Sequence, residues 1–216
     1  MIGRNAIVRL SRYKNALYRF KEMGFVKVFS DNLAEAVVVT AAQVRKDFSL
    51  FGISGNKRAG YQIDVLIEKL NEILGKHEIQ KVVIVGAGNI GKALLTYRGF
   101  EKEGIRIVAA FDIDPSKFQK TGKVPVYALD HLRDFVRDED IRIGILAVPD
   151  IAAQQVFDLM VQAGIGGVLN FAPIALRGGD DIVINNVNLE LELENLSYFV
   201  NASLKAKSDP PAQSGR

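Results

Sequence analysis

Lys81-Val82-Val83-Ile84-Val85, followed at once by Gly86-Ala87-Gly88-Asn89-Ile90-Gly91, decides the fold of the C-terminal two-thirds of this chain. The first stretch is a β-branched, apolar run and reads as a strand buried on both faces. Each glycine after it has a mechanical task. Gly86 lets the chain turn sharply off the strand. Gly88 leaves room for a pyrophosphate against the backbone, and Gly91 lets the next helix pack close to the strand. That helix would aim its free N–H groups and positive dipole end at the phosphates. A bare GxGxxG is weak evidence, but a strand before it and a helix after it are the context a dinucleotide site requires.

Downstream, strands and helices alternate. Strands are expected at Ile105–Phe111, Ile141–Val148 and Gly166–Phe171, with short pieces near Val124–Tyr127 and Ile182–Val187. Helices are expected at Ile90–Arg98, Leu129–Asp138 and Ile151–Ala163. This order implies a parallel sheet with helices on both faces, an α/β architecture. The second strand ends at Phe111-Asp112-Ile113-Asp114, with Asp112 21 residues beyond Gly91. An acid there holds ribose hydroxyls and repels a 2′-phosphate, which favours NAD(H) over NADP(H). The competing reading is that Asp112 and Asp114 only cap the turn before Pro115. Ala147-Val148-Pro149 and Asn170-Phe171 lie at carboxyl ends of strands, where a nicotinamide ring would sit; equally, the prolines there and at Pro173 only end strands.

The N-terminal third reads differently. Ala6, Leu10, Tyr13, Leu17 and Phe20 give Asn5–Met23 one apolar helical face, ended by Gly24. A short extended piece, Phe25–Phe29, leads to a second helix, Asp31–Val37, with Ser30 as its cap. Thr40-Ala41-Ala42-Gln43 matches a capping box, so a third helix begins there. Val44, Phe48 and Phe51 face inward, and Ala42, Gln43, Arg45, Lys46 and Ser49 face outward. Gly52, Gly55 and Gly60 then interrupt, with Lys57, Arg58 and Tyr61 between and beside them. A fourth helix, Asp64–Leu74, stops at Gly75. This is the order of a winged helix-turn-helix. The candidate DNA-contacting residues are Thr40, Gln43, Arg45, Lys46, Ser49, Lys57, Arg58, Gly60 and Tyr61. Arg and Lys pair with guanine or phosphate and Gln with adenine, while a slim basic wing enters the minor groove.

Charge agrees with that division. Residues 1–75 carry a net +5 and residues 76–216 a net −2, so the basic surplus lies in the helical third. There is no cysteine, and only His77 and His131 could bind a metal through imidazole. Thiolate chemistry and Cys-ligated metal sites are therefore excluded. Without thiols, any redox sensing must act through a bound ligand. No apolar run is long enough to span a bilayer and the start shows no signal-peptide pattern, so no membrane association and a cytoplasmic location are expected. No Tyr-x-x-x-Lys pair exists, and no second domain follows the sheet to shape a substrate pocket, so the chain is read as a non-enzyme. A small NAD(H)-dependent oxidoreductase with a basic accessory domain is the alternative. A CoA- or nucleotide-binding module with a protein-contacting N-terminus is a third reading.

Four segments carry a family resemblance. Thr40-Ala41-Ala42-Gln43-Val44-Arg45-Lys46-Asp47 with Phe51-Gly52 and Gly60-Tyr61, then Val83–Gly91, then Asn170-Phe171-Ala172-Pro173, then Asn186-Val187-Asn188-Leu189 resemble, in order, the signatures of the Rex family of bacterial redox-sensing transcriptional repressors. The resemblance spans nearly the whole chain. It implies a homodimer with an N-terminal winged helix, a C-terminal Rossmann-like doubly wound parallel sheet and a terminal helix exchanged between subunits. It implies binding to a palindromic double-stranded DNA operator and release when NADH replaces NAD+. The expected divisions are 1–76 for DNA binding, 77–188 for NAD(H), 189–207 for the dimerisation helix and 208–216 for a disordered tail. An exchanged helix would cover Leu196, Phe199, Val200 and Leu204, which have few neighbours left in their own chain to cover them. Three departures stand out. Val38 occupies the helix-turn-helix turn where glycine is usual, and a β-branched residue resists the left-handed conformation, so an altered turn is expected. The Lys57-Arg58 pair lies one place later than usual. Asn188 replaces an Asp that in the family pairs with a tyrosine matched by Tyr97, so that switch contact would be uncharged.

Overall fold

A computed structural model describes the chain at residues 3–55, 59–76, 78–119 and 121–208. It separates into two compact units, Met1–Ile79 and Gln80–Arg216. The first holds helices α1 (Arg4–Glu22), α2 (Ser30–Val37), α3 (Ala41–Leu50) and α4 (Ile63–Ile73). It also holds a two-residue antiparallel ladder, β1 (Lys27–Val28) with β2 (Tyr61–Gln62). Leu10, Tyr13 and Leu17 of α1, Leu33 of α2, Val44 and Phe48 of α3, and Leu70 of α4 are fully buried together. Tyr13 and Tyr61 each meet Phe48 edge-on, with ring centroids 5.5 and 5.1 Å away.

Two expectations about this unit are corrected. Ser30 does not cap α2 but is its first helical residue; Phe29 is the cap position, and its N–H donates to Asn32 Oδ1 at 3.0 Å. Asn32 thus makes the reciprocal half of a capping box, back to the N–H of the cap residue. The turn after α2 is not altered by Val38. Val38 adopts the left-handed conformation itself, with φ 59° and ψ 55°. Its N–H donates to Glu35 O and that of Val39 to Ala34 O, the paired bonds of a Schellman stop. The turn keeps its shape and Val38 bears the steric cost.

The second unit is a six-stranded parallel sheet: β3 (Gln80–Val85), β4 (Ile105–Asp112), β5 (Val126–Ala128), β6 (Ile143–Leu146), β7 (Gly167–Asn170) and β8 (Val183–Asn186). Its spatial order is β5-β4-β3-β6-β7-β8, and every pairing is parallel. The order reverses between β3 and β6, the topological switch point where doubly wound sheets bind ligands. Helices α5 (Asn89–Thr96), α6 (Gly99–Lys102), α7 (Leu132–Asp138), α8 (Asp150–Ala163) and α9 (Leu189–Ser208) complete it. The α6 turn was not anticipated, because four residues carry no periodicity. The expected Leu129–Asp138 helix opens with a 3₁₀ turn at Leu129–His131. The Ile141–Val148 strand is shorter than its apolar run, since Ile141 instead donates its N–H to Val136 O and packs beside α7.

α9 is a continuous helix, and Leu193, Leu196, Phe199, Val200 and Leu204 on it are exposed. Asn188 Oδ1 accepts from Leu191 N–H at 3.0 Å and so caps its start. No described helix is long and apolar enough to cross a membrane. Of the tail expected over 208–216, Ser208 is instead the last residue of α9, while 209–216, together with Lys57, Arg58 and His77, lie outside the described residues.

Candidate functional site

The glycine turn has the geometry its composition implies. Gly86 sits at φ +103°, and a Cβ there would run into the Ala147 carbonyl. A Cβ on Gly91 would overlap the Gly86 carbonyl oxygen, so α5 approaches β3 as closely as only glycine allows. Around Gly88 there is open space within 4 Å, room for a group to lie against the backbone. Ala87 is buried, while Asn89 and Ile90 open α5 on the exposed side of the turn.

A cavity of about 440 Å³ opens beside this turn at the carboxyl ends of β3, β4 and β6. Gly86 and Gly88 line one part, Asp112, Ile113, Asp114 and Lys117 another, and Ala147, Val148 and Pro149 a third; Leu129 and the α8 residues Ala152, Gln155, Val156 and Leu159 close it. Its wall is mostly apolar with charge at one side, as expected of a nucleoside pocket.

Asp112 is 6% exposed, and its carboxylate is already engaged. Oδ2 accepts from Ala87 N–H at 2.7 Å, and Oδ1 from Asp114 N–H at 2.9 Å. Lys117 Nζ donates to both oxygens, at 3.2 and 3.1 Å. Burial alone would raise this carboxyl, but the two backbone N–H groups and the Lys117 ammonium outweigh it and hold the pKa below the ordinary value. Asp112 thus ties β4 to the glycine turn as well as facing the cavity. Asp114 caps the following 3₁₀ turn through Ser116, as the competing reading had it for that residue. Lys117 was not singled out in the sequence; its place three residues after Asp114 was the available signal.

Ala147, Val148 and Pro149 fall in the same cavity as Asp112, whereas Asn170 and Phe171 do not line it. Asn170 is fully buried. Its Nδ2 donates to Ile174 O and Asn186 Oδ1, each at 2.9 Å, and its Oδ1 accepts from Ala172 N–H at 2.9 Å. It clamps the loop after β7 to β8. Tyr97 stands at the end of α5, 60% exposed, with its ring edge-on to Phe100 at 5.1 Å.

In the other unit, Thr40 caps α3 by accepting from Gln43 N–H at 3.1 Å. The reciprocal half of the expected capping box is replaced: Gln43 Nε2 donates to Asp47 Oδ1 at 2.8 Å. Arg45, Lys46 and Ser49 are exposed on the outer face, and neither cation forms an ion pair among the described residues. Gly60 is in the left-handed region, and a Cβ there would press on Val28 O at 2.8 Å and the Phe29 ring. Tyr61 is partly buried and packs on the core, its ring edge-on to Phe48.

The residue that the outward-face reading passed over is Asp47, 2% exposed. Arg9 grips it with Nε and Nη2 at 2.6 and 2.7 Å, and Tyr13 Oη donates at 2.8 Å. Burial would raise the Asp47 carboxyl, but hydrogen bonds from Arg9, Tyr13 and Gln43 bring it below its usual value. Its phase, one position before Phe48 and three after Val44, was the missed signal, since a charge on an apolar face demands partners.

Comparison with known proteins finds matches in both units. A family model described as "Putative DNA-binding protein N-terminus" matches residues 1–49, and one described as "CoA binding domain" matches residues 77–174. The redox-sensing transcriptional repressor Rex of Desulforamulus reducens is 44% identical over 202 residues, 93% of this chain and 95% of that protein. Crystal structures of RSP, a Rex-family repressor, are 35% identical. The complex of RSP with β-NAD+ and operator DNA superposes with a TM-score of 0.89 over 98% of this chain and 99% of its own. Its complex with β-NADH gives 0.85 over 96% and 98%.

Proposed function

Because this chain belongs to the Rex family of redox-sensing transcriptional repressors, we propose that it is itself a DNA-binding repressor that senses the NADH/NAD+ ratio. It binds a palindromic operator as a homodimer and releases it when NADH binds. One observation carries this reading: similarity along almost the whole chain to a repressor seen with both β-NAD+ and operator DNA. The relatives are named repressors, which favours a regulator over the small oxidoreductase. The protein acts in the cytoplasm, where operator and pyridine nucleotides meet.

The residues present suit the ligand. Gly86 and Gly91 form a cradle that any side chain would fill, and Gly88 leaves space for the pyrophosphate. The start of α5 at Asn89 and Ile90 offers N–H groups to the phosphates. Asp112 and Asp114 discourage a 2′-phosphate beside the ribose, while Ala147, Val148 and Pro149 supply an apolar wall. Asn170 shapes the neighbouring loop with Phe171, and Tyr97 takes part in the switch. Residues 77–188 form the NAD(H) domain, and the helix over 189–207 covers its apolar face on a second copy. Residues 1–76 bind DNA. Arg45, Lys46, Gln43 and Ser49 address the major groove, Thr40 a phosphate, and Lys57, Arg58, Gly60 and Tyr61 the wing contact.

NADH acts only if it has different affinities for the DNA-binding and the released dimer. A gel shift against a palindromic operator library, with NADH, NAD+ and CoA added separately, tests the reading. Release by NADH alone is expected. Retention of the operator at saturating NADH, or release by CoA instead, would overturn it.

A further inference from the structure

A carboxylate on the apolar side of a recognition helix is expensive. Replacing such a group together with its partners by apolar residues is often neutral or stabilising, so stability alone does not account for the cluster around Asp47. Its partners suggest a different task. Arg9 and Tyr13 belong to α1, the longest helix of the unit, and together make three of the four bonds to the carboxylate. The fourth comes from Gln43, one turn earlier on α3 and on the partly exposed side.

That fourth bond has a directional consequence. An ionised carboxylate only accepts hydrogen bonds, so Gln43 must offer it the NH₂ end. The low pKa of Asp47 keeps it ionised at neutral pH. A free glutamine amide flips readily, and a flip exchanges donor and acceptor at the base edge. Reading adenine needs an acceptor for N6 and a donor for N7 in fixed places. The bond to Asp47 uses one N–H and leaves Oε1 and the other N–H for a base.

We propose that Asp47 is a positioning residue for sequence reading: anchored by Arg9 and Tyr13, its carboxylate holds the Gln43 amide in one orientation toward the operator. The inference rests on the DNA-binding reading above and assigns the part that Asp47, Arg9 and Tyr13 play in it. Specificity at one base pair per half-site then depends on a side chain that touches no DNA.

The test uses the full-length protein and a set of operators bearing every single base-pair change, with affinities measured at fixed salt. Gln43→Ala should flatten discrimination at one position in each half-site. Asp47→Asn should flatten the same position about tenfold and leave the others unchanged. The double variant should be no flatter than Gln43→Ala alone. Arg9→Lys keeps the charge but loses the two-pronged grip, so it should give a smaller loss at that position even if Asp47→Asn folds poorly. Unchanged NADH binding and helical content identify a folded variant. Equal weakening of all operators by Asp47→Asn and Arg9→Lys, or an intact profile in both, would overturn the inference. So would a Gln43→Ala profile identical to wild type. Failure of the wild-type protein to select any operator would instead reject the DNA-binding reading itself.

Discussion

Val38→Gly should stabilise the N-terminal unit, although valine is the more hydrophobic residue. Val38 is 91% exposed, so its removal uncovers almost no buried surface. Its φ of 59° and ψ of 55° put Cβ against the backbone, at a cost of roughly 1–2 kcal/mol for a residue with a side chain. Glycine takes that conformation freely but gains freedom in the unfolded chain, which returns about 0.4–1 kcal/mol. The net expectation is about 1 kcal/mol of stabilisation, close to a fivefold change in the opening equilibrium. Hydrogen exchange of the buried amides of α1 and α3 in the full-length protein reads this directly. Protection should rise about fivefold in Val38→Gly and little in Val38→Ala, which keeps the Cβ. The amides of β3 and β6 serve as an internal reference and should not change. Faster exchange in Val38→Gly, or an equal gain from alanine, would refute the argument that backbone strain is stored at this turn.

Four further outcomes follow from the geometry. Gly91→Ala forces a Cβ onto the Gly86 carbonyl oxygen and should destabilise the sheet unit by about 1–3 kcal/mol while abolishing NADH binding. Gly88→Ala meets no protein atom and should lose NADH affinity at unchanged melting temperature, as calorimetry and thermal melts would reveal. Asp47 and Asp112 are held below the usual carboxylate range, so their contribution is complete above about pH 4 and is lost as pH falls through their folded values. Tyr13 is pushed up, first by burial and then by its bond to Asp47; its contribution is complete below about pH 10 and is lost at higher pH. Urea midpoints across pH should therefore fall at both ends, and Tyr13→Phe should soften the alkaline fall; a midpoint that rises on acidification contradicts this. Arg45→Ala with Lys46→Ala should weaken operator binding by at least about 1–3 kcal/mol and flatten its salt dependence, measured by fluorescence anisotropy. An unchanged salt slope would remove α3 from the interface.

The glycine turn was legible in the sequence because backbone sterics leave few residues able to do what Gly86 and Gly91 do. The sheet was legible because β3 and β6 are buried on both faces and so read as unbroken apolar runs. Helix α3 was legible from Thr40 and from the spacing of Val44 and Phe48. Side-chain networks were not. Asp47 looks like any helical carboxylate until Arg9 and Tyr13, 38 and 34 residues away, are seen to converge on it. Nothing near Asn170 in the sequence shows that its amide ties Ala172, Ile174 and Asn186 together. Lys117 reaches Asp112 only because the 3₁₀ turn at Pro115 folds it back. Val38 shows the reverse failure. Local propensity spoke against a left-handed valine, but the packing of Leu33, Val37 and Val44 fixed the turn and overrode it.

The central claim is that reduced nucleotide and operator compete through the energy of two dimer conformations. Linkage makes this reciprocal: if NADH weakens operator binding by some factor, operator must weaken NADH binding by the same factor. The decisive measurement is an NADH titration of the full-length protein, free and saturated with operator. A loss of NADH affinity on the operator equal to the loss of operator affinity under NADH is predicted. Identical NADH affinity in the two states would contradict the account.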